Sequence, residues 1–78
     1  MALDPAAWLQ RYAEALGVPA PDAGEVEALL DLAGVAAHAS ERTAAPVSCW
    51  LAARAGVSPE EALTTARGLA DSMAGGGA

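Results

Sequence analysis

The sequence predicts an all-α fold, a four-helix domain of two helical hairpins. Three observations lead there. Four stretches place apolar residues at helical spacing, and no strand is predicted. Starts of capping type stand at Asp4-Pro5, Asp22 and Ser58-Pro59. The punctuation Gly17-Val18-Pro19 returns as Gly56-Val57 followed by Pro59, which divides each hairpin at its turn. The hairpins span 4–39 and 46–73 and are antiparallel within themselves. Residues 1–74 form one domain, and 75–78 form a flexible Gly-rich tail.

In the first helix Asp4 caps and Pro5 takes the first position, where a missing N–H costs nothing. Trp8, Leu9, Tyr12, Ala13 and Leu16 follow at helical spacing and read as core, with Trp8 and Tyr12 one turn apart and able to stack. Gly17 ends the helix in a left-handed conformation, and Val18 folds back on the last turn.

The second helix organises the chain. Asp22 and Glu25 fit a reciprocal capping box. Val26, Leu29, Leu30, Leu32, Ala33, Ala36 and Ala37 cover about half the circumference at roughly 100° per residue, so more than one neighbour is expected. Glu27, Asp31, Gly34 and His38 share the opposite side, which reads as a solvated face or a docking face. A mid-helix Gly costs about 1 kcal/mol relative to Ala. Close approach of another backbone at Gly34 would offset that cost.

Periodicity lapses over 40–45. Ala45 precedes a proline and is pushed away from helical angles, so the third helix is expected to start at Pro46 and run to Ala55. Val47, Trp50, Leu51 and Arg54 share one side, and Arg54 can sit over the Trp50 ring. Ser48, Cys49, Ala52 and Ala53 make a small side that permits close helix packing. In the last helix Ser58 and Glu61 fit a second capping box. Ala62, Leu63, Ala66, Leu69, Ala70 and Met73 form its expected buried stripe, and Glu60, Thr64 and Arg67 a weak surface link.

A chain of 78 residues is one small domain with a thin core. Alanine supplies 22 of its 42 apolar residues, so buried area is scarce, and a homodimer is expected as one remedy. Phe, Ile, Lys and Asn are absent, a bias that a high-GC genome explains. Net charge is −6 and the four Arg are scattered, so neither nucleic acid nor an anionic membrane surface is an expected partner. No apolar run reaches the roughly 20 residues of a span, and no signal peptide is read at the start. Cytoplasm is the default compartment.

Chemistry is sparse. One His and one Cys do not make a metal centre, and Asp31 and His38 lie two turns apart, about 10.5 Å. A Cys49–His38 nucleophilic pair needs the linker to fold back and lacks a third orienting group. The ordinary readings are a small packing residue for Cys49 and a helix-end histidine for His38. No nucleotide-binding fingerprint is present. The expectation is no catalytic residue, no metal and no cofactor.

The segment from Leu29 to Val47, with Leu30-Asp31-Leu32-Ala33, Ala37-His38, Arg42 and Ala44-Ala45-Pro46, resembles an actinobacterial family of small helical domains of unknown function. The likeness extends to Leu51, and Val47, Ser48 and Cys49 depart from the family's usual Leu-Thr-Thr. In that family the domain occurs alone or appended to nucleotidyltransferases resembling molybdenum-cofactor guanylyltransferases. The resemblance implies an accessory role near molybdenum-cofactor biosynthesis or its client enzymes, with a nucleotidyltransferase or a molybdoenzyme as protein partner. Asp31, His38, Arg42 and Pro46 match the motif and define the candidate interaction or ligand face.

Two functions compete. The first is a non-catalytic protein–protein interaction module. The alternative is a binder of a small anionic ligand, a nucleotide or pterin phosphate, held by Arg42 and His38.

Overall fold

The computed structural model describes residues 4–75. Four helices follow in order: α1 (Pro5–Leu16), α2 (Ala23–Ala39), α3 (Ala44–Ala55) and α4 (Pro59–Gly75). The chain is an all-α, four-helix domain. Of the expected Gly-rich tail, Gly75 belongs to α4, and the remainder from Gly76 lies outside the described residues. Among the described residues no helix is long and apolar enough to cross a membrane.

Local chemistry sets the helix ends. The Asp4 carboxylate accepts the Ala7 N–H at 2.9 Å ahead of Pro5. Both halves of the Asp22–Glu25 box form, at 2.8 and 2.9 Å. At Ser58 the hydroxyl accepts the Glu61 N–H at 3.1 Å, so the serine half of that box is made. Gly17 sits at φ 74°, and its N–H and that of Val18 close on Glu14 and Ala13 carbonyls, the double bond of a Schellman ending. Gly56 repeats the conformation at φ 75°.

The third helix begins two residues before Pro46. Ala44 and Ala45 donate to Glu41 and Arg42 carbonyls, and Pro46 falls at the third helical position. N–H groups of a first turn have no intrahelical acceptor, so the proline's missing donor is tolerated there. The steric push on Ala45 is thus overruled by the turn that precedes it.

Packing centres on α2, which lies against both α3 and α4; α3 barely touches α4, and no helix packs closely on α1. The two helix–Gly–Val–helix units follow each other as the punctuation indicates, but the main contacts run between them. The core is small: Ala28 and Leu32 of α2 with Ala62 and Leu63 of α4. Leu29, Val35, Cys49, Ala52 and Ala66 surround it, half-buried. The small side of α3 is therefore its packing side, as its residues indicate.

Several expected core positions face solvent. Trp8 is 55% exposed, and Tyr12 and Leu16 are similarly open, because among the described residues no other helix covers that face of α1. Trp8 and Tyr12 do stack, with ring centroids 5.6 Å apart. On α2, Leu30 is 67% exposed while Leu32 is 3% exposed, since α3 and α4 cover only part of the broad stripe. On α4, Leu69 and Met73 are exposed beyond the reach of the core. Nothing lies within 4 Å of where a Gly34 Cβ would stand, so close backbone approach is not its explanation.

Candidate functional site

An apolar groove runs between α3 and α4 over the C-terminal half of α2, with a volume of about 520 Å³. Its geometry follows from the helix ends. Gly56 turns the chain sharply after Ala55, and Ser58 starts α4 at once. Both helices then lean on α2 while staying apart from each other. Leu32, Val35 and Ala36 make the floor, Leu51 and Ala52 one wall, and Ala66, Leu69 and Met73 the other. Small residues on α3 and α4 leave the space open. No charged side chain lines it; Ser40, Ser48 and Thr65 are the polar exceptions.

A second depression borders the groove and shares Val35, Ala39, Ala70 and Met73 with it. His38, Arg67 and Asp71 line this depression. Arg67 also reaches from α4 to Asp31 of α2, with 4.0 Å between the guanidinium and the carboxylate. Both side chains are over half exposed, so the pair contributes little, of order 0–1 kcal/mol. The surface link from Glu60 through Thr64 to Arg67 is not formed as expected: the Thr64 hydroxyl donates to the Glu60 backbone carbonyl, and Arg67 turns to the neighbouring helix.

The four motif residues are spread out. Asp31 stands at mid-helix beside Arg67, and it also lines a second cleft between α1 and the N-terminal half of α2, opposite Pro5 and Leu9. His38 is exposed in the last turn of α2. Arg42 is exposed in the turn that follows, where its carbonyl accepts the Ala45 N–H. Among the described residues its guanidinium has no carboxylate within 4.0 Å. Pro46 is exposed in the first turn of α3. Arg67 pairs with Asp31 and lines the same depression as His38, while Arg42 and Pro46 line neither the groove nor the depression.

Cys49 points inward, its thiol directed at the Leu29 carbonyl at 3.8 Å. Burial pushes its pKa up, which disfavours the thiolate a nucleophile needs. It shares neither the groove nor the depression with His38. On the outer side of α3, the Arg54 guanidinium lies 5.1 Å from the Trp50 ring centroid, an exposed cation–π contact of about 0.5–1 kcal/mol. Among the described residues no three His, Cys, Asp or Glu side chains gather as a metal site would require.

The groove itself was not legible as a site in the residues. The available signal was indirect: Leu51, Leu69 and Met73 are too large for solvent, and alanine is too small to cover them.

A family model matches residues 3–78, which is nearly the whole chain. The chain belongs to the DUF6457 family, a domain of unknown function. No curated protein and no solved structure matches it. The family description carries no activity, so the working surface of this DUF6457 domain is judged on its own geometry. What that geometry offers is an uncharged groove with His38, Arg67 and Asp71 along one border.

Proposed function

We propose that this DUF6457 domain is a non-catalytic interaction and accessory module whose binding surface is the α3–α4 groove, which receives an apolar helix. One observation carries the reading: the recess between α3 and α4 is apolar, uncharged and open, and the exposed His38, Arg67 and Asp71 line the recess that borders it. Helix-in-groove recognition uses that arrangement, an apolar trough for the anchoring side chains and a polar rim for register. Arg42 and Pro46 extend the surface past the end of α2. The resemblance to domains appended to molybdenum-cofactor guanylyltransferase-like enzymes suggests the partner class, a nucleotidyltransferase or a molybdoenzyme. A resident of such an assembly needs no chemistry of its own, which suits a half-buried thiol and a single exposed imidazole.

The test is a pull-down from native lysate with wild type, Leu69→Glu and a His38→Ala/Arg42→Ala double variant. Leu69→Glu should lose the protein partner, because a carboxylate is placed in an apolar trough. The double variant should retain less of it than wild type does. Equal recovery by all three proteins, with helicity unchanged, removes the groove and the polar face together.

The alternative, a nucleotide or pterin phosphate held by Arg42 and His38, is supported only by the exposure of both groups. Against it, the arginine that lines one recess with His38 is Arg67, and Asp71 lines that recess too. A thermal-shift series with these ligands decides it, since a specific ligand stabilises in proportion to the logarithm of its concentration.

A further inference from the structure

We propose that the occupant of the α3–α4 groove is α1 of a second copy of this chain, exchanged reciprocally in a two-fold dimer. The inference rests on the groove being the working surface, as proposed above, and names what fills it.

The first ground is area. A compact chain of 7.7 kDa exposes about 4,300 Å². This one exposes 5908 Å². Its radius of gyration is 14.0 Å, against about 11.5 Å for a compact chain of the same length. The excess surface is roughly 1,000–1,600 Å² per chain. Covering it in a dimer buries about 2,000–3,000 Å², the size class of obligate homodimers.

The second ground is shape. The exposed ridge Trp8, Tyr12 and Leu16 runs down one side of α1, while Gln10, Arg11 and Glu14 stay on the other. Twelve residues make α1 about 18 Å long. The α4 wall from Ala62 to Met73 measures about 17 Å at the same rise. Ridge and trough therefore match in length and in apolar character.

Charge is the third ground. A chain of net charge −6 resists meeting its own copy. The charges of Arg11 and Glu14 cancel within α1, and the groove carries none. This contact brings together two segments that add little to the repulsion.

A chain's own α1 does not fit the same role. It ends in the Gly17 turn and is led away by a link containing Pro19 and Pro21. It faces the N-terminal half of α2 across the cleft at Val26 and Leu30, while the groove floor is the other half. A ridge and a trough at separate places on one molecule assemble either into an open chain or, by reciprocal exchange, into a closed pair. The two-fold pair satisfies both faces of both copies.

Sedimentation equilibrium of the full chain tests this. Wild type should show twice the 7.7 kDa mass. Tyr12→Glu damages the ridge and Leu69→Glu the trough; both positions are exposed, so each variant should keep its helicity. Each should be monomeric where wild type is dimeric. Mixed in equal amounts, the two should form a heterodimer, because one intact ridge meets one intact trough. If each contact carries a hot spot of about 2 kcal/mol, the heterodimer is about 30-fold weaker than wild type and about 30-fold tighter than either variant alone. Should glutamate unfold the chain, Tyr12→Gln and Leu69→Gln serve in the same design.

Folded variants that stay monomeric on mixing overturn the exchange and point to ridge-on-ridge or trough-on-trough contact. A monomeric wild type that still captures a protein partner through Leu69 overturns this inference alone. A monomeric wild type without that capture overturns the groove reading as well.

Discussion

Replacing Leu32 by alanine tests the packing of α2 more sharply than any other single change. Leu32 is 3% exposed and sits between α3 and α4, whereas Leu30, two residues earlier, is 67% exposed. Truncating a buried leucine costs about 2–5 kcal/mol, and the cost depends on how far the site relaxes. Leu32 also forms part of the groove floor, so the vacated space opens onto an existing recess. That places the expected loss in the lower half, about 2–3 kcal/mol. A chain of this size has about 4–12 kcal/mol in total. The melting temperature should fall by roughly 10–20 °C. Leu30→Ala should change stability by no more than about 0.5 kcal/mol. Urea unfolding followed by far-UV circular dichroism measures both, at several protein concentrations so that self-association is separated from folding. If Leu30→Ala costs as much as Leu32→Ala, α2 presents a different face to its neighbours and the described core is wrong.

Three further outcomes follow from the structure. Asp22→Ala removes one side of a fully formed capping box and should cost about 1 kcal/mol in the same unfolding assay. Gly34→Ala should stabilise by up to about 1 kcal/mol, since the added methyl meets nothing within 4 Å; destabilisation would mean that another backbone lies against α2 in solution. Burial raises the Cys49 thiol pKa, so the folded chain holds that proton more tightly than the unfolded one. Its contribution is therefore whole below the ordinary thiol pKa of about 8.5 and declines as pH rises above that value toward the folded one. Unfolding free energies measured from neutral to alkaline pH should fall more steeply for wild type than for Cys49→Ser, and parallel profiles would contradict the burial.

The helix ends were readable because each is settled within three or four residues. Asp4-Pro5, Asp22 with Glu25, Ser58-Pro59 and the positive-φ glycines Gly17 and Gly56 all act on their own turn. Pro46 was misplaced for a related reason. The rule for the residue before a proline is local, but so is the turn at 41–45 that draws Ala44 and Ala45 into the helix. The covered faces were less readable. Periodicity identifies an apolar stripe on α1, α2 and α4, yet which part is covered depends on another helix's position. In α2 the stripe is wider than its two neighbours can hide, and Leu30 is left out. The exposure of Asp31 and His38 agrees with their polar stripe. The Arg67–Asp31 pairing and the groove could not be read, because both arise only where α2 meets α4.

The misplaced core residues share a pattern that bears on what the folded unit is. Trp8, Tyr12 and Leu16, together with Leu69 and Met73 and with Leu30 of α2, are large side chains that helical spacing assigns to an interior and the single chain leaves in water. Random error in reading faces would scatter such residues among polar neighbours. Here all but Leu30 collect on two surfaces, the α1 ridge and the α3–α4 groove, of nearly equal length. Sequence periodicity reports that a face needs covering and is silent on whether the cover belongs to the same chain. In the reciprocal arrangement, Trp8, Tyr12 and Leu16 become interior residues against Leu69 and Met73 of the second copy. The stripes on α1 and α4 would then mark surfaces that a second copy covers, the remedy that the scarcity of buried area leads one to expect.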